Sequence, residues 1–94
     1  MTAIPKPPHG LEKRGRALWT AYLADFDLDA VERATLHEAC RTADELDRLS
    51  GAIASADVLA VGSQGQPVVS GLYDGVRRHR ETLAKLLTLL KVDK

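Results

Sequence analysis

Residues 36–46 read Leu36-His-Glu-Ala-Cys-Arg-Thr-Ala-Asp-Glu-Leu46, and their pattern decides the fold class. Leu36, Ala39, Ala43 and Leu46 return every three or four residues, the spacing that places side chains on one face of an α-helix. The stripe continues through Leu49 to Ile53, with Cys40 beside it. Its alanines permit close approach by another helix. Glu32, Arg41, Glu45 and Arg48 fall on the opposite, solvated face. Upstream, Asp29 is suited to be an N-cap and Glu32, three positions on, to complete a capping box. The expectation is a long central helix from about Val31 to Ala54, weakened near its end by Gly51.

Toward the N-terminus, Leu11, Gly15, Leu18 and Tyr22 mark a shorter helix ending near Asp25, with Trp19, Leu23 and Phe26 widening its apolar stripe. This segment supplies three of the four aromatics and so much of the bulky core. Residues 1–10 hold three of the four prolines and are expected to form a flexible, extended arm. Residues 11–94 are expected to make one helical domain. Toward the C-terminus, two β-rich runs flank Gly62-Ser-Gln-Gly65, which predicts a small β-hairpin at about 58–69, with Pro67 at an edge position. From Ser70, a possible N-cap, a last helix is predicted to about Leu90. Its seam of Leu72, Val76, His79, Leu83, Leu86 and Leu90 has heptad-like spacing, and Leu87 and Leu89 broaden it. The expected fold is mainly α: a short N-terminal helix, a long central helix, a β-hairpin and a leucine-rich C-terminal helix.

A chain of 94 residues buries only about 60–65% of its unfolded surface, so small domains call on disulfides, metals or self-association. Cys40 is the single cysteine, and the three histidines are not spaced with it as zinc ligands. Self-association is therefore the expected support, and the seam from Leu72 to Leu90 is its candidate surface. No apolar run is long enough to span a bilayer, and the first residues lack a signal-peptide core, so no membrane contact and a cytoplasmic location are expected.

Net charge is zero, yet its distribution is uneven: residues 1–16 carry +3, residues 25–57 carry −6 and residues 70–94 carry +3. Basic ends around an acidic middle suit head-to-tail contact between subunits, or a basic edge offered to a polyanion. Lys6, Lys13, Arg14 and Arg16 form one candidate DNA-contacting group; Arg77, Arg78 and Arg80 form the other. Solvated helix faces explain the same residues without a ligand. Cys40 reads as a small buried hydrophobe, Trp19 as core, and His79 as a half-buried interface residue. The glycine cluster at 62–65 is not followed by Lys-Ser/Thr and a helix, and no nucleophile or metal-hydrolase motif occurs. The chain is therefore expected not to be an enzyme and to need no cofactor or metal.

The order of segments resembles the small subunit of phage DNA-packaging terminases, particularly those of phages and prophages from actinobacterial hosts. An arm precedes Leu18-Trp-Thr-Ala-Tyr22. The link Asp25-Phe-Asp-Leu-Asp29 leads into Leu36–Leu46, a Gly65-Gln-Pro67 segment follows, and Leu72 and Arg77-Arg78 mark the last helix. The likeness spans residues 11–92. This chain departs from the pattern at Ser70-Gly71, where relatives often carry Asn-Pro, and at Gly75, where a Glu often sits. The resemblance implies a non-catalytic adaptor that binds double-stranded viral DNA, assembles with itself as a ring, and presents DNA to a large subunit bearing the ATPase and nuclease. A helical protein-interaction or regulatory module without DNA binding is the alternative left open.

Overall fold

The computed structural model describes residues 4–60 and 66–90, and the side chains of 4–55 and 71–90. Three helices follow one another: α1 (Lys13–Asp25), α2 (Ala30–Ala60) and α3 (Gln66–Leu89). Helix α2 is the backbone of the molecule, with both α1 and α3 packed against it. Its 31 residues span about 46 Å at 1.5 Å per residue, and the chain measures 57 × 21 × 17 Å.

The capping box at the start of α2 forms in both directions. The Glu32 N–H donates to Asp29 Oδ1 at 2.8 Å, and the Asp29 N–H donates to Glu32 Oε1 at 2.9 Å. The central stripe is buried as its spacing requires: Leu36, Ala39, Cys40, Ala43 and Leu46 all lie inside. Leu11, Trp19 and Leu28 join Leu36, Cys40 and Leu90 in one cluster, with Leu18, Tyr22, Leu23, Phe26 and Leu87 packed around it. Leu87 of α3 and Leu90 just beyond it thus share a cluster with Trp19 of α1.

The expected β-hairpin is not formed. Val58–Ala60 continue α2 and Gln66–Val69 open α3, while residues 61–65 lie outside the described residues. Pro67 explains half of the difference, because a proline in the first helical turn withholds an N–H that has no intrahelical partner there. The other half is length: two strands alone are barely stable in water, whereas extending two helices adds a hydrogen bond per residue. Ser70 accordingly lies within α3 rather than capping it, and α2 runs six residues past the end expected at Ala54.

Helix α1 begins without a side-chain cap of its own. The cap comes from α2. The buried Asp44 carboxylate accepts the Glu12 N–H through Oδ2 and the Gly15 N–H through Oδ1, both at 2.7 Å. Gly15 makes that approach possible, since a Cβ there would lie 2.4 Å from Asp44 Oδ2 and 2.9 Å from the Cys40 carbonyl. Gly10, at φ 99°, turns the preceding chain into position, and Leu11 is buried behind it. The Pro5 carbonyl accepts the Trp19 Nε1–H at 2.9 Å, and the Trp19 ring meets His37 edge-on at 6.5 Å.

Asp44→Ala strands one buried and one part-buried N–H donor, so a loss of about 2–3 kcal/mol is expected in urea unfolding. Asp47→Ala, which breaks only the exposed pair with Arg14, should cost under about 1 kcal/mol. Gly15→Ala should destabilise by about 2–3 kcal/mol through overpacking. Equal costs for the two aspartate variants would show that the buried cap contributes nothing special.

Candidate nucleic-acid interface

The first turn of α1 carries Lys13, Arg14 and Arg16 and no acid. Bases there oppose the helix macrodipole, whose positive end lies at the N-terminus. Asp44 offsets part of that cost from below. Arg14 pairs with Asp47 at 2.8 Å, Glu12 with Arg48 at 3.5 Å, and the Arg16 guanidinium donates to the Leu11 carbonyl. Lys6 is exposed on the arm and Lys13 on the helix, and neither has an ion-pair partner among the described residues.

The second basic group is arranged differently. Arg77 bonds to Asp74 and approaches Glu81 at 3.5 Å, and Arg78 lies 3.2 Å from Asp74. The Arg77 hydrogen bond, with the charges of Arg77 and Arg78, holds the Asp74 carboxyl below its ordinary range, and Asp74 in turn raises Arg77. Only Arg80 of the three has no ion-pair partner among the described residues. A phosphate reaching Arg77 or Arg78 would have to compete with carboxylates already in place.

The leucine seam lies on the face of α3 turned toward α2. Val76 and Leu90 are buried, and Leu72, Leu83, Leu86 and Leu87 are half-buried. His79 places Nδ1 2.9 Å from the Gly75 carbonyl and Nε2 3.0 Å from Glu45 Oε1 on α2. Both contacts are made together when the ring carries both protons; the neutral ring donates to only one of the two oxygens. This clasp joins α2 to α3. The sequence marks His79 as an interface residue but gives no sign that Glu45, thirty-four positions away, is its partner.

Asp44 also escaped the sequence reading. Its signal was present in principle: a helix start lacking its own cap, and an acid set within an apolar stripe. Cys40 lies beside it, with its thiol pushed up to about 12 by burial, then by the Asp44 charge, against a smaller opposing contact from the Trp19 backbone. Among the described residues no group of three or more His, Cys, Asp or Glu is placed to hold a metal, and no helix is long and apolar enough to cross a membrane.

The fold and its basic stations define a small helical chain built on a long two-helix hairpin, with cations concentrated where α1 begins. No family model matches the chain, and no curated protein or solved structure matches it significantly.

The buried thiol should resist iodoacetamide at pH 8 in the folded protein and react promptly in urea. Its folded value lies above that of the unfolded thiol, so the stability it contributes is complete below about pH 9 and falls as pH rises toward 12. Native alkylation at the rate of a free thiol would contradict the packing around Cys40.

Proposed function

We propose that this chain is a DNA-packaging adaptor of the small-terminase kind. It binds double-stranded viral DNA in the host cytoplasm, associates with itself in a ring, and delivers DNA to a large subunit that does the chemistry. The observation that carries this reading is the basic first turn of α1, where Lys13, Arg14 and Arg16 run against the helix dipole above the buried Asp44. A sequence selected for helix stability alone would place acids there. The succession of segments, which resembles small terminase subunits, supports the same conclusion. Lys6 and Lys13 are the primary phosphate contacts in this reading, with Arg16 beside them, and Arg80 is a contact on α3. The adaptor has no catalytic role and no cofactor.

The paired state of Arg77 and Arg78 favours a second reading, a helical interaction module without DNA affinity. DNA binding followed by fluorescence anisotropy separates the two. With these four phosphate contacts, affinity for a duplex should fall about 150-fold between 50 and 200 mM salt. Lys6→Glu combined with Lys13→Glu should lower affinity at least tenfold at low salt, while Arg77→Glu should change it little. Absence of binding at 50 mM salt, or binding indifferent to salt, rejects the adaptor and leaves the module.

A further inference from the structure

The arm is fastened at two points. The Trp19 Nε1–H donates to the Pro5 carbonyl at 2.9 Å, and the Leu11 N–H donates to the Pro8 carbonyl at 3.5 Å across a turn in which Gly10 takes φ 99°. Both ties engage buried residues, since Trp19 is 5% exposed and Leu11 4%. Between them Pro5, Pro7 and Pro8 each hold φ near about −65°, so the stretch has few ways to bend. Pro5 shares a groove with Leu23, Ala24 and Phe26, which places it beside the second half of α1, whereas Leu11 immediately precedes that helix. The arm therefore folds back along α1.

Lys6 is the one lysine or arginine between the two ties. It follows the tied carbonyl directly and is exposed. Asp25 and Asp27 line the groove beside Pro5, yet Lys6 pairs with neither and has no ion-pair partner among the described residues. Trp19 lies six residues past Lys13, about 9 Å along the helix. The fastened arm thus carries one free cation beside the body of α1 and leaves another, Lys13, at its start. The fold sets their separation, where a loose tether would leave it undefined.

We infer that Trp19 is a positioning residue for Lys6: through the Pro5 carbonyl it holds the Lys6 ammonium where a duplex phosphate meets it together with Lys13. This inference rests on the DNA-binding reading above and gives the buried indole a part in it without any contact to DNA. The physical reason is entropic. A lysine on a free arm has its backbone and side chain ordered at the moment of binding, at the expense of affinity. With the arm tied at both ends, most of the backbone ordering has already taken place on folding.

A double-mutant cycle read by anisotropy of a labelled duplex tests the assignment. Trp19→Phe keeps an aromatic ring in place and removes the donor. It should weaken duplex binding about three- to tenfold. Gly10→Ala should do the same through the other tie, because it strains the turn at positive φ while its new Cβ meets nothing within 4 Å. In a Lys6→Ala background both substitutions should change affinity by less than about twofold, since the residue being positioned is gone. The salt slope is a second readout: Lys6→Ala should lower it by about 0.9, whereas Trp19→Phe should leave it unchanged because the phosphate contact is still made. Equal losses with and without Lys6, as damage to the core alone would produce, overturn the positioning role and leave the DNA reading standing. Full affinity in both tie variants does likewise. A chain that binds no duplex at low salt removes the DNA reading and this role together.

Discussion

The carboxylate of Asp44 is the interaction on which the arrangement of the N-terminal third depends. It sits inside the molecule, 2% exposed, and satisfies two backbone donors at the start of a helix that has no cap of its own. Buried polar groups are costly unless bonded, so the relation is mutual: Asp44 requires the donors, and the donors require Asp44. Gly15 follows from the closeness of that contact, and Gly10 from the turn that brings Leu11 under it. One acid on α2 therefore fixes where α1 starts and how near it lies.

The same contact permits an unusual surface. Three bases crowd the first turn of α1, and an internal anion makes the positive end of the helix tolerable. The charge that faces solvent is thus underwritten by a charge that does not. Helix α3 ties Arg77 and Arg78 to acids on their own helix, whereas Arg14 of α1 is held by Asp47 across on α2. Two basic clusters that look equivalent in the sequence differ in where their engaged members find acids: on another helix for α1, on the same helix for α3.

Helical periodicity made α1, α2 and α3 legible, and the Asp29–Glu32 box was readable because both partners lie within one turn. The residues around 58–69 misled for a physical reason. Short apolar runs rich in valine have no period long enough to separate strand from helix, and the proline between them suits an edge strand or a first helical turn equally well. What stayed hidden was pairing across distance: Asp44 with the start of α1, and Glu45 with His79. The identities of those residues were visible, but only packing α1 and α3 on α2 tells which side chain each backbone or ring nitrogen will find. The candidate site was legible as a set of bases; their division into engaged and available cations was not.

Trp19 is the chain's single tryptophan, and its indole N–H is tied to the carbonyl of Pro5. The proline-rich leading segment thereby touches the molecule's single indole. Seating or lifting of that segment alters the polarity around the indole and shifts its emission, without any label. The protein contains its own optical gauge of what its N-terminal segment is doing, at the end of the molecule where Lys13, Arg14 and Arg16 gather.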